Sequence, residues 1–402
     1  MANNPYVKPL KAFDPKKDLV VNESFKADDL FSREDTLGDL ESGEPDGELQ
    51  GDAGKELASF RADAPVQAGI LSVATALNTT VLIACNDKGG VYLLAPGQGS
   101  LTPVGKFKIP GSIIRTPAYS GGILYITTRE GLIVAVNTGL GGQEGDGTSY
   151  KPSLLWQKRM AKGILSEPVA TGKILIVAAL DGVYGFEAYY QDDSSKAIGK
   201  LLWEKQLDGT VSSPTLHGGM IFIGTEDKKL CALEYGGSKA ETKWTFDANA
   251  QIRNKPSISR DGRDVLAASI DGSVYCVDIR QKKLEWVFMV KAPVYSTIIP
   301  GTIDNAECYY FGADNGMFYC VNSFGKSVWT FKTNGKIRTQ ALLDGGVVFF
   351  GSEDNNFYAL NAKTGAMIFK FSTDGNINST PVILENAIYF GANDSFIHGV
   401  SR

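Results

Sequence analysis

DNNFYALNAKTGAMIFKF at residues 354–371 and INSTPVILENAIYFGA at residues 377–392 together spell one structural unit. Four short runs rich in β-branched and aromatic residues are broken by Asp, Asn, Gly and Pro, which predicts four strands joined by tight turns. The same template recurs along the chain. Its turn before the third strand falls at Asp87, Glu130, Asp181, Asp227, Asp271, Asn315, Asp354 and Asp394, at spacings of 39 to 51 residues. Eight turns imply eight units.

Two further registers agree with that count. All five tryptophans, Trp156, Trp203, Trp244, Trp286 and Trp329, occupy one template position, and Phe369 completes the series. After each of them a hydrophobic residue precedes small polar residues and often proline, as in IIRTP ending at Pro117, ILSEP at Pro168, IRNKP at Pro256 and INSTP at Pro381. A four-stranded sheet of this length cannot bury both of its faces alone, and radial stacking of such sheets solves that problem. The expectation is an all-β fold: an eight-bladed β-propeller of four-stranded antiparallel blades, with the tryptophan strand outermost in each.

The ends of the repeat array predict how the ring closes. Residues 395–400, SFIHGV, supply a third strand with no fourth after it. Residues 55–61, KELASFR, resemble the missing outermost strand and precede an inner strand near Val66. The last blade is thus expected to be shared by N- and C-terminal strands, which places a propeller at 55–402 and an extension at 1–54.

The repeats resemble those of the pyrroloquinoline-quinone-type (PQQ-like) propellers of the quinoprotein alcohol dehydrogenase-like superfamily, on Ala359, Asn361, Thr364, Gly365 and Phe369, with Phe in the usual Trp place. The resemblance implies the fold. Its members include quinone-dependent dehydrogenases, the propeller lipoprotein of the outer-membrane β-barrel assembly machinery, and non-enzymatic adaptors, so it implies no single activity. A dehydrogenase would carry a quinone, a calcium ion with carboxylate and amide ligands, a catalytic Asp and commonly a vicinal Cys–Cys disulfide. No adjacent cysteine pair exists here, and none of these features transfers residue by residue.

Other chemistry is sparse. The only histidines are His217, in an HGG turn, and His398, at the template position held elsewhere by Tyr92, Tyr184, Tyr275, Tyr319 and Tyr358. Cys276 and Cys320 fall in a slot otherwise held by Ala135, Gly185, Ala232, Ala359 and Gly399, which reads as tight packing rather than reactivity. The Gly-rich stretch from Gly139 to Ser153 lacks the strand and helix context of a phosphate-binding loop. No catalytic residue, cofactor site or metal site is expected.

The polar residues of the inner strands vary between units: Arg115, Glu167, Arg253, Lys255, Arg338, Gln340 and Asn378. Arg115, Arg253, Lys255 and Arg338 would gather near one mouth of the central channel, where they could bind an anionic ligand or an acidic peptide, or stand as solvated rim charges. Of the formal charge of −5, residues 23–52 contribute −9, from 11 acidic residues against Lys26 and Arg33. Ser32 and Asp35 can cap a short helix near 32–41, with Leu30, Phe31, Leu37 and Leu40 as an apolar docking patch among the acids. The same segment also reads as a disordered solubilising tail, or as a mask over the channel mouth.

No basic stripe with interleaved aromatics suggests nucleic-acid binding, and no charge-free span of about 18 residues suggests membrane insertion. The N-terminus shows no apolar run of the ~7–15 residues a signal peptide needs. Five cysteines without a disulfide spacing fit a reducing compartment, so a cytoplasmic location is expected. The reading is a monomeric, non-catalytic scaffold or adaptor for one or more proteins. The alternatives are a quinone- and calcium-dependent dehydrogenase, and an envelope protein-assembly factor whose export signal has been removed.

Overall fold

The computed structural model describes residues 53–74, 79–97, 99–140, 150–188, 199–210, 212–236 and 238–402. The extension, with the helix expected near 32–41 and the patch Leu30, Phe31, Leu37 and Leu40, lies outside the described residues. So does most of the Gly139–Ser153 stretch.

Thirty-two strands and no helix are present among the described residues, arranged as eight four-stranded antiparallel sheets. Blade 1 begins with the inner strand Leu71–Ala74 and blade 7 ends with the outermost strand Met367–Ser372. Seven blades use consecutive strands. Blade 8 joins Val382–Leu384, Ala387–Gly391 and Phe396–Ser401 to Glu56–Arg61, which supplies its outermost strand. Inner strands of neighbouring blades touch, and Leu71–Ala74 meets Val382–Leu384 across the closure.

The middle strands of each blade are buried on both faces and read as continuous apolar runs, as in Thr80–Cys85 and Val347–Gly351. The outermost strands alternate, because one face packs on the neighbouring blade and the other meets solvent. Eight apolar clusters fill the ring, and several draw on more than one blade, as where Ile176 and Val183 of blade 3 meet Ile221 and Leu233 of blade 4.

The tryptophan register has a simple physical basis. Each aromatic lies opposite a small residue on the third strand: Trp156 opposite Ala135, Trp203 opposite Gly185, Trp244 opposite Ala232, Trp286 opposite Cys276, Trp329 opposite Cys320, and Phe369 opposite Ala359. A Cβ on Gly185 would stand 2.2 Å from the Trp203 ring, so the slot admits only a small side chain there. Just before each of these aromatics the outermost strand carries a β-bulge, which re-aims the large ring inward.

Blade 8 has the same bulge, at Leu57, with Ala58 opposite Gly399, and this establishes Glu56–Arg61 as its outermost strand. Blade 1 reverses the pair: Leu93 fills the small-residue slot and Gly105 stands where the tryptophan would be. The sizes remain complementary.

Turn glycines tie the blades to one another. Gly365, at a φ of +72°, approaches Trp329 of the preceding blade so closely that a Cβ would lie 2.6 Å from the ring. Gly325 sits on Trp286 in the same way, Gly199 on Trp156, and Gly54 on Phe369. The Trp329 indole N–H also donates to the Ala362 carbonyl at 2.9 Å, so the burial of this ring leaves no orphaned donor.

The turn acids are held from the third strand. Tyr358 donates its hydroxyl proton to Asp354 at 2.7 Å and Tyr184 to Asp181 at 3.0 Å, while the Asn315 amide donates to Tyr319 at 2.8 Å. In unit 1 the register shifts by one. The Asn86 N–H donates to Gly90 as Ser352 does to Asn356, so Lys88, rather than Asp87, stands at the turn position. Asp63, from the loop after the closing strand, accepts from Tyr92 and Asn86 instead.

Candidate functional site

The inner strand of each blade is entered by a five-residue motif whose first and third positions are mostly buried. In the first position Ile113, Ile164, Ile252, Val294, Ile337 and Ile377 anchor the entry in the core. The third is a buried hydroxyl or amide in six blades. Ser296, Thr339 and Ser379 each donate to the last residue of the second strand, at 2.8, 3.0 and 2.8 Å, and so fix the entry to its own blade. The second and fourth positions are left to face the channel and its mouth.

The four basic residues expected at the mouth separate into two groups. Arg253 and Arg338 occupy the second position of blades 5 and 7, and each makes a forked pair with a carboxylate just before the turn of the preceding blade. Arg253 reaches Glu226 at 2.6 and 3.0 Å, and Arg338 reaches Asp314 at 2.8 and 2.6 Å. Glu353 lies 3.7 Å from Arg338, whose guanidinium stacks 4.7 Å above the Tyr295 ring. The hydrogen bonds they donate to Glu226 and Asp314 raise the two arginines above their ordinary range.

Lys255 and Arg115 sit with Glu167 on the channel wall. Lys255 Nζ lies 2.9 Å from Glu167 Oε2, linking blade 5 to blade 3 across the small Ser213 of blade 4, whose hydroxyl accepts from the Glu167 N–H. Burial opposes ionisation of Glu167, but Lys255, Arg115 and Thr116 outweigh it and hold its carboxyl below the usual glutamate range. Arg115 donates through Nε to the Leu165 carbonyl at 2.7 Å. Arg115 is solvent-exposed within the channel, where the surrounding walls pull its pKa down and Glu167 partly offsets that.

The channel end of the propeller is therefore a lattice of paired charges over blades 2 to 7. Sequence reasoning found the cations and Glu167 but missed Glu226, Asp314 and Glu353. One signal was available: in the two units with arginine at the second position, the preceding unit carries an acid directly before its turn residue. Gln340 and Asn378, the other variable polar positions of the inner entries, belong to no ion pair of this lattice.

His217 ends the strand Thr215–His217 and contacts the Gly262 carbonyl of blade 5 at 3.1 Å. Cys85, Cys231, Cys276, Cys308 and Cys320 are buried and free; burial alone pushes the Cys85 thiol well up, and is the main cause of the rise of Cys231 to about 11. Among the described residues no three His, Cys, Asp or Glu side chains gather to hold a metal. The channel donors do not fit a quinone and calcium pair, because Glu167 is already neutralised by Lys255 and the mouth carboxylates by arginines. No helix among the described residues is long and apolar enough to cross a membrane.

A family profile described as outer membrane protein assembly factor BamB matches residues 50–322 and 314–401, which together span the whole propeller. The chain belongs to this family. Among solved structures similar to it, BamB from Moraxella catarrhalis aligns with a TM-score of 0.66 at 17% identity, over 87% of this chain and 99% of that one. Sqt1 from Saccharomyces cerevisiae aligns at 0.70 and 14% identity, over 87% and 99%, and the computationally designed Ika8 protein at 0.68 and 14%, over 87% and 100%. At these identities BamB, Sqt1 and Ika8 share the fold with this chain and lend it nothing finer. No curated relative matches the sequence.

Proposed function

We propose that the chain is a non-catalytic scaffold that holds another protein at its channel mouth and rim during an assembly step, with the acidic N-terminal segment as a second contact. The observation that carries this reading is the pairing of the mouth cations with carboxylates of neighbouring blades. Forked Arg–carboxylate pairs fix a charged surface of defined shape, as recognition of a folded partner requires. Membership of the BamB family supports an assembly role. The propeller acts as a monomer in this reading, and five buried thiols are compatible with a cytoplasmic location.

The test is affinity purification of the native complex with Arg253→Glu and Arg338→Glu combined in the full chain. Loss of at least one partner is expected. Recovery of every partner in unchanged amount would refute the mouth as the contact surface. The family match favours one further reading, assembly within the cell envelope, and fractionation of the cells separates the two: a chain found only in the envelope overturns the cytoplasmic assignment.

A further inference from the structure

Seven large apolar side chains stand exposed among the described residues, and they are confined to half of the ring. Leu284, Val287 and Met289 lie on the outermost strand of blade 5; Phe324 and Val328 are on the turn and outermost strand of blade 6, Met367 on that of blade 7, and Leu57 on that of blade 8. The outermost strands of blades 1 to 4 contribute none of them. Phe324 is 77% exposed, an unfavourable position for a phenylalanine that nothing covers.

The glycine contacts make these positions continuous. The Phe324–Gly325 turn lies on Trp286 of blade 5, Gly365 lies on Trp329 of blade 6, and Gly54 lies on Phe369 of blade 7. The apolar wall of blades 5 to 7 therefore ends where the acidic segment joins the propeller. Each outermost strand also has one edge with no strand paired to it. The wall is basic as well: residues 280–289, 324–332 and 363–372 hold seven cations, Lys283, Lys326 and Lys370 among them, against the single carboxylate Glu285.

We propose that residues 30–40 of this same chain, LFSREDTLGDL, cover the outer wall of blades 5 to 7. The segment offers what the wall lacks, with Leu30, Phe31, Leu37 and Leu40 set among Glu34, Asp35 and Asp39. The reach suffices. Thirteen residues separate Leu40 from Gly54, a tether of at most about 50 Å extended, whereas packed sheets lie about 10 Å apart. The channel mouth is the poorer acceptor, since Arg253 and Arg338 already hold carboxylates. The inference concerns a surface away from the mouth, so it stands or falls separately from the mouth contact of the scaffold reading and competes only with the use of residues 30–40 as a second contact to the partner.

Carbodiimide cross-linking of the full chain, with the linked peptides identified by mass spectrometry, tests it. Links from Glu34, Asp35 and Asp39 are expected to concentrate on Lys283, Lys326, Lys363 and Lys370. In a variant with Val287→Thr, Met289→Thr and Phe324→Ser, link yield should fall about tenfold, the loss that 1.4 kcal/mol of apolar contact produces. It should still melt in one cooperative transition no more than a few degrees below the parent, because all three side chains are exposed in the propeller itself and only the docking contact is lost. Even spreading over the lysines of all blades, links to Lys255 or Lys336 at the mouth, or unchanged yield in the variant would overturn the proposal. An equal mixture of isotopically light and heavy protein adds one more outcome: the proposal expects no mixed links, and about half of all links joining a light to a heavy chain, the statistical share for pairing between copies, would assign the wall to a second copy and defeat the proposal.

Discussion

His398 Nδ1 lies 2.9 Å from Glu56 Oε1, a side-chain contact between residues 342 positions apart that bridges the two strands closing the ring. The other ring nitrogen lies 3.1 Å from Asp394, the turn acid of the same blade. Where five other blades place tyrosine, blade 8 has a group that can carry charge.

Burial works against the charged imidazole, yet Asp394 and Glu56 outweigh it and raise the His398 pKa above its ordinary value. The stabilisation is complete below about pH 6.5, the unfolded value, and is lost as pH rises through the raised folded value. Asp394 is held below its ordinary range, so its share is lost only in acid. Between pH 6 and pH 9 the parent should lose stability, and only modestly because Glu56 is partly exposed. Thermal melts should show that slope in the parent and none in His398→Tyr.

Gly365→Ala should destabilise through two effects, a left-handed backbone and a Cβ driven into Trp329. Gly346, at a φ of +74°, has nothing within 4 Å of its added Cβ, so Gly346→Ala carries the backbone cost alone. The expected costs are about 1 kcal/mol at Gly346 and about 2–4 kcal/mol at Gly365. Urea unfolding of the two variants measures both, and equal midpoints would show that the inter-blade contact contributes nothing.

The reversed pair in blade 1 invites a direct exchange. Leu93→Ala should cost about 2–4 kcal/mol by leaving a cavity, and Gly105→Trp alone should be destabilising because Leu93 already fills the slot. Together they rebuild the pair used by blades 2 to 6, and the double variant should be more stable than either single one. A double variant at or below the sum of the two losses would contradict the size-complementarity argument.

Removing one member of the channel pair strands the other. Glu167→Gln and Lys255→Met should each destabilise by about 1–3 kcal/mol, at the lower end because both side chains keep some solvent. The double variant should lose less than the sum. Chemical unfolding of the three proteins gives the coupling energy, and additivity within about 0.5 kcal/mol would mean that Lys255 and Glu167 do not act together.

The fold was legible because its determinants are local and repeated eight times. A tryptophan opposite a small residue, a turn acid beneath a tyrosine and a proline at the inner entry each recur at one spacing, so a miss in one unit is corrected by the others. The one-residue slip at Asp87 came from reading unit 1 by its acid, when the role of that acid had moved to Asp63. The pairing at the mouth was less legible. Arg253 and Arg338 were found by their variability, but their partners sit in the preceding blade, some 24 to 27 residues earlier, and only the geometry of neighbouring blades joins them. His398 was read as a packing residue, which its stacking on Phe390 supports. Its second partner could not be foreseen, because Glu56 reaches it from the far end of the array.

The shared blade also orders events during synthesis. Glu56–Arg61 is made before every other strand of the propeller, and its partner Phe396–Ser401 is made after all of them. The first strand to leave the ribosome is thus the last to be paired, and until then blade 7 presents Phe369 without the Gly54 turn that covers it. A nascent chain therefore carries the unpaired first strand for nearly the whole of its translation and an uncovered Phe369 only over its last stretch, so a chaperone would meet a free edge early and an aromatic wall late.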